Sequence, residues 1–195
     1  PVEMSSGGYV TAELETGVFW IKSTSGSNWS AITSTYDPCV YVYSNTNDIM
    51  LTDGSAYEPQ PVIPNSNNNS IGRFKLNAQT SGAVMNSINF TFSGTPSGIN
   101  NVKLWSSSDS VYGGDTQIGA SMPYSSSITF SGLTTGITED GNYYFLTVDL
   151  GESTGEISAF ISDNSAIEIS GGTVAGTILN AKLSKDGNVL PVELI

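Results

Sequence analysis

Apolar side chains recur at every second position in several short stretches of this chain. In the stretch 87–92, Ile88 and Phe90 alternate with Ser, Asn and Thr, and the stretches 101–105 and 127–130 repeat the pattern. Because successive side chains of a strand point to opposite faces of a sheet, this spacing predicts strands that bury one face. Helical spacing of apolar residues is nearly absent, so the alternation restricts the chain to a β fold.

The stretch 142–150 is apolar on both faces. Tyr144, Leu146 and Val148 would share one face, and Phe145 lies among the residues of the other. A strand that is apolar on both sides is typical of a central position with both faces covered. The stretch therefore predicts a central strand.

Turn signals rich in Gly, Asn and Asp separate the predicted strands, at 93–98, 139–142, 151–156 and 185–188. Short strands at this spacing favour two packed antiparallel layers. The predicted fold class is all-β: an antiparallel β-sandwich of Ig-like or jelly-roll-like type, with a small additional β-rich segment on its N-terminal side.

The stretch 57–70 holds Pro59, Pro61 and Pro64, followed by an Asn/Ser cluster. Proline cannot donate a hydrogen bond to a β ladder, so this stretch breaks any central strand. We interpret it as an inter-domain linker; the alternative is a long loop inside one domain. The predicted division is a small β-rich segment or the remainder of a preceding domain at 1–56, a linker at 57–70, a β-sandwich at 71–187 and a second linker at 188–195.

Composition excludes several classes of function. The chain has no histidine, one cysteine and a net charge of −12. Without histidine no Ser-His-Asp relay can form, and the single Cys39 excludes an internal disulfide. The acidic balance disfavours nucleic acid as a partner, because phosphate binding needs a basic stripe. The sequence contains no run of about eighteen apolar residues, so it predicts no membrane span. Catalysis would have to rest on carboxylates, lysines or tyrosines, and no short motif singles out a pair of carboxylates, so we expect no enzymatic activity.

Two aromatic residues are candidates for ligand binding. Trp105 falls on the strand face opposite Val102 and Leu104, and Tyr112 lies in the following loop. Glycan-binding proteins present aromatic rings beside amides and carboxylates, so Trp105 and Tyr112 predict a carbohydrate site. The alternative is that both rings only cover the sheet, as aromatic side chains in strands commonly do.

The loop after Trp105 also contains the candidate metal ligands, Asp109 and Asp115, on either side of a glycine turn. Calcium binds several oxygen ligands, and loops of this composition can supply them. The competing interpretation is that both aspartates stabilise turns without any metal. Calcium is thus a possible cofactor, and the sequence predicts no other.

The segments 71–120, 128–150 and 169–184, taken in order, resemble an accessory β-sandwich module of large surface and secreted proteins exported by type IX secretion. The module is similar to the domain associated with BNR-repeat sialidase-like proteins. The resemblance covers roughly 66–195, and the final "LPVELI" at 190–195 resembles the linker that precedes the C-terminal sorting domain of such proteins. It implies a secreted or cell-surface location, flanking domains and no catalytic residues.

These observations predict a noncatalytic module that serves as a spacer, adhesion or interaction unit. Two alternatives stay open: a carbohydrate-binding module, or an accessory domain of a secreted hydrolase. The expected partners are a glycan, another surface protein and the flanking domains of a longer polypeptide.

Overall fold

A computed structural model describes residues 18–22, 29–33, 47–58 and 60–190 of the chain. Internal contacts divide the chain into two units, Pro1–Thr46 and Asn47–Ile195. In the first unit, strands β1 (Val18–Lys22) and β2 (Trp29–Thr33) pair in antiparallel register. The stretches 9–14 and 39–44, whose apolar and aromatic residues also predict strands, lie outside the described residues, as does Cys39.

The described part of the second unit is built almost entirely of strands, which confirms the all-β prediction. None of its helices is long and apolar enough to cross a membrane. The strands are β3 (Asp48–Thr52), β4 (Asn69–Ala78), β5 (Ala83–Gly94), β6 (Ser97–Ser107), β7 (Thr116–Pro123), β8 (Ser127–Phe130), β9 (Thr135–Ile137), β10 (Asn142–Ile161), β11 (Ile167–Ser170), β12 (Thr173–Val174), β13 (Ala181–Lys182) and β14 (Asn188–Leu190). Two short 3-10 helices, Gly54–Ala56 and Asn164–Ala166, complete the elements.

The long strand β10 joins two sets of strands. Its first half lies between β4 and β6, and its second half pairs with β5, β13 and β14. The predicted turn at 151–156 was wrong, because the strand continues through it with register shifts against β6. Gly155 has a φ of +95°, and a side chain there would collide with the carbonyl of Thr95. Glycine is therefore required here because the irregular strand needs a positive φ and leaves no room for a side chain. In the sequence, the same glycine looks like part of a turn.

The apolar residues that alternate along the predicted strands form the core, as predicted. Ile88 and Phe90 of β5 are fully buried, as are Val102 and Leu104 of β6. On β10, buried side chains occur on both faces, which confirms the predicted central strand. The rings of Phe74 and Phe90 lie 5.8 Å apart, so the set containing β4 contacts the set containing β5 through the core. The Ig-like or jelly-roll-like topology stays a prediction.

One described pair departs from the antiparallel prediction, because β12 pairs with β3 in parallel. The unit boundaries also differ from the predicted division. Strand β3 pairs with β4, and Tyr57 and Ser70, at the two ends of the predicted linker, are both buried. Strand β14 pairs with β10 within the predicted second linker, whose remaining residues, 191–195, lie outside the described part of the chain. The structured unit thus begins before the proline-rich stretch.

Candidate functional site

The face of β4, β6 and β10 that points away from the core carries a continuous set of polar and aromatic side chains. We call it the outer face. Strand register sets Phe145 beside Trp105 on one side and beside Arg73 on the other. Thr147 stands in register with Lys103. The segment 53–70 and the loop 108–115 contact this face. The residues of the outer face are Arg73, Lys103, Trp105, Phe145, Thr147 and Asp149.

Aromatic rings form a row across the outer face. The ring of Trp105 meets that of Tyr112 edge-on at 5.8 Å, and Tyr112 lies 5.5 Å from Phe145. The ring of Tyr57 also meets that of Phe145 edge-on, with centres 6.2 Å apart. The indole Nε1 of Trp105 donates to the Thr147 hydroxyl at 2.9 Å. The two aromatic residues selected from the sequence, Trp105 and Tyr112, therefore lie together and are half-buried.

Polar bonds hold the segment 53–70 against the sheet. Asp149 accepts from Lys103 Nζ at 2.8 Å, from the backbone amide of Asn68 at 3.0 Å and from Asn101 Nδ2 at 3.2 Å. Burial by itself raises the pKa of Asp149, but these hydrogen bonds and the lysine charge outweigh burial and lower it. Asp149 is thus an ionised carboxylate that ties a loop to two strands.

Arg73 ties the loop 108–115 to the same face. Its Nε lies 2.9 Å from Asp53 Oδ2, close enough for an ion pair but not aligned as a hydrogen bond. One Nη donates to the carbonyl of Ser110, and the guanidinium lies 5.2 Å from the centre of the Tyr57 ring. Charge, hydrogen bonding and cation–π contact therefore converge on one arginine.

A groove of about 590 Å³ opens between these two loops. Its lining includes Tyr57, Gln60, Asn67, Arg73 and Tyr112. Burial raises the pKa of Tyr57, and burial with the charges of Asp115 and Asp149 raises that of Tyr112 to about 12. Both tyrosines therefore keep their hydroxyl protons at neutral pH. The groove thus presents two neutral phenols beside the charged residues Glu58 and Arg73.

The candidate metal ligands, Asp109 and Asp115, each accept a hydrogen bond from a backbone amide within their own loop. Asp109 accepts from the amide of Val111 at 2.8 Å, and Asp115 accepts from the amide of Gly113 at 2.9 Å. Such bonds to an amide two residues away are typical of turn-stabilising aspartates. Across the described residues, no group of three or more Asp, Glu, His or Cys could hold a metal ion. Calcium binding at these two residues stays a prediction.

Sequence reasoning missed Tyr57, Asn68 and Arg73. The proline-rich stretch was interpreted as a linker, and nothing in its local pattern indicates the buried bond of Tyr57 to the Ser70 hydroxyl, 2.8 Å long. The strand β4 was not predicted either, although Ile71, Phe74 and Leu76 are fully buried. The alternating Phe74 and Leu76 are the sequence signal from which β4 could have been predicted.

The fold and the outer face define an all-β module with an aromatic, polar groove on one side of its sheet. Neither the protein-family models nor the curated proteins contain a match to this chain.

Proposed function

We propose that this chain is a noncatalytic β module of a secreted or cell-surface bacterial protein, serving as a spacer, adhesion or interaction unit. The proposal is supported by the resemblance of 66–195 to accessory modules of type IX secretion and by the all-β fold. Such a module works passively: rigid strands hold polar loops in a fixed arrangement, and the loops meet a partner.

The observation that carries the proposal is the fixation of both surface loops on the outer face. Lys103 and Asp149 hold the segment containing Asn68, and Arg73 holds Ser110 of the neighbouring loop. Loops that are ordered in advance lose little conformational entropy when they bind. A groove bordered by such loops supports a role in interaction.

Carbohydrate is our second, more specific candidate for the function. It is favoured by the contact of Trp105 with Tyr112 and by the position of Tyr112 in the groove. Aromatic faces can cover the apolar side of a sugar ring, while amides such as that of Asn67 bond to hydroxyls. Calcium at Asp109 and Asp115 would add oxygen-rich coordination beside the groove.

A glycan array tests this candidate with the wild-type chain and Tyr112→Ala. We expect the variant to lose at least tenfold in affinity, because it removes one wall of the groove, and any bound glycan to be recovered uncleaved. Tyr124→Ala is a matched control, since Tyr124 is also half-buried and meets Phe92 edge-on at 5.6 Å away from the groove. A wild type that binds no glycan would remove the carbohydrate candidate, and glycan cleavage would contradict the noncatalytic assignment.

A further inference from the structure

A lysine, an asparagine and an aspartate meet on the outer face. Lys103 Nζ donates to Asn68 Oδ1 at 2.8 Å and contacts both oxygens of Asp149 at 2.8 Å. Only 15% of the Lys103 side chain and 7% of the Asp149 side chain are exposed. An amine, a carboxamide and a carboxylate therefore share one contact, in which the lysine and the aspartate are mostly buried and the asparagine is half-buried.

The three residues come from three separate parts of the sheet. Lys103 belongs to β6, Asp149 to the central strand β10, and Asn68 directly precedes β4 on the other side of β10. Asn68 has a left-handed backbone with φ of +60°, and its amide is held by Asp149 at 3.0 Å. The carboxamide is thus fixed beside the amine before any reaction occurs.

Asn69, the residue after Asn68, helps to fix the position of the Asn68 carboxamide. Asn69 Nδ2 donates to the carbonyl of Ser66 at 3.2 Å and to that of Val148 at 3.3 Å, so the turn holding Asn68 is anchored to β10. Trp105, the next outward-facing residue of β6 after Lys103, donates to Thr147, the register partner of Lys103. The arrangement holds the amine and the carboxamide in proximity, which lowers the entropic cost of a reaction between them.

We propose that Lys103 and Asn68 form a covalent amide cross-link, with Asp149 as the proton carrier. The Lys103 ammonium transfers a proton to Asp149, and the neutral amine attacks Asn68 Cγ. The Nζ–Cγ bond forms, the Cγ–Nδ2 bond breaks, and the leaving nitrogen takes the proton from Asp149 and departs as ammonia. The second proton of the attacking nitrogen goes to solvent. No oxidant or reductant is needed, and Asp149 ends as a carboxylate.

A simple ion pair would need only Lys103 and Asp149. Here the carboxamide of Asn68 also bonds to the Lys103 amine, although Asn68 and Lys103 lie on opposite sides of β10. The hydrogen bonds that lower the pKa of Asp149 make its protonation uphill, so the cross-link is expected to form more slowly than the chain folds. Once formed, it would link the residue preceding β4 to β6 across β10, and Asp149 would keep its bonds from the Asn68 amide and Asn101 in place of the lysine charge.

Intact-mass spectrometry of the purified 195-residue chain, denatured before measurement, tests the proposal. We expect a species lighter than the sequence mass by one ammonia, and a growing fraction of it as the folded protein is stored. Proteolysis should then release a branched peptide that contains both Lys103 and Asn68. A full sequence mass after prolonged storage, or ammonia loss mapped to other residues, would overturn the cross-link.

Matched variants separate this reaction from other losses of ammonia. Lys103→Arg keeps the positive charge but removes the amine nucleophile, and should retain the full sequence mass. Asn68→Asp should form the same cross-link with loss of water instead of ammonia, a change that a purely structural role would not produce. Lys75→Arg alters a different lysine, on β4, whose Nζ lies over the Tyr143 ring at 5.0 Å, and should leave the mass loss unchanged. Ammonia loss that persists in Lys103→Arg would refute the assignment.

Discussion

Replacing Phe74 by alanine is expected to lower the free energy of unfolding by about 4 kcal/mol, the largest effect that we predict for a single side chain. Phe74 is fully buried, stacks on Tyr144 with ring centres 5.0 Å apart and meets Phe90 at 5.8 Å. Truncation removes the ring that links the two sets of strands and leaves a cavity between them. Chemical denaturation monitored by tryptophan fluorescence measures the change.

Tyr144→Phe is the matched control for this substitution. It keeps an aromatic ring against Phe74 and removes a buried hydroxyl that has no hydrogen-bond partner among the described residues. Removing an unsatisfied polar group is nearly neutral or stabilising, so we expect a change within about 1 kcal/mol. A loss below about 1 kcal/mol for Phe74→Ala would contradict a shared core, because Phe-to-Ala changes in closed cores cost several times more.

Replacing Lys103 by methionine is expected to lower the free energy of unfolding by about 3 kcal/mol. The substitution keeps the volume of the side chain but leaves the Asp149 carboxylate, only 7% exposed, without its positive partner. Removing one member of a buried pair leaves an uncompensated charge, which is the costly case. Lys75→Met is the matched control: Lys75 lies on β4, contacts the Tyr143 ring and has no carboxylate partner among the described ion pairs, so its replacement should cost much less.

The loss caused by Lys103→Met should depend on pH. The folded-state pKa of Asp149 is lowered from its ordinary value of 3.8, so its stabilising contribution is present above that pH and is lost as pH falls through the folded pKa. The difference between wild type and variant is therefore expected to shrink below pH 3.8. A double variant with Asp149→Leu should recover part of the loss, whereas the loss of a cross-link alone would not be recovered.

Much of the fold could be predicted from local pattern. The apolar residues of β5 alternate because one face of that strand is buried. The run in β10 is apolar on both faces because both faces of that strand are covered. The continuation of β10 through 151–156 could not be predicted, because Gly, Ser and Thr there have the composition of a turn. Pairing with neighbouring strands overrides such local preference, and the register irregularity beside Gly155 accommodates it.

The candidate site was predictable only in part. Trp105 and Tyr112 could be selected, since each stands out within a few residues of sequence. Tyr57 and Arg73 could not, because their roles depend on contacts between β4 and loops distant in the chain. Asp149 stands out in the sequence as a carboxylate within the apolar run 142–150, but its partner Asn68 comes from the stretch that we interpret as a linker.

The stiffness assumed for this module depends on β10, which holds both sets of strands together. Native-state hydrogen exchange followed by NMR measures the opening free energy of each amide along this strand. We expect the amides at 143–148 and at 156–161 to open with the same free energy, equal to that of global unfolding. If one half opened independently at a free energy lower by about 2 kcal/mol or more, β10 would not unite the module, and the account of a rigid interaction scaffold would be contradicted.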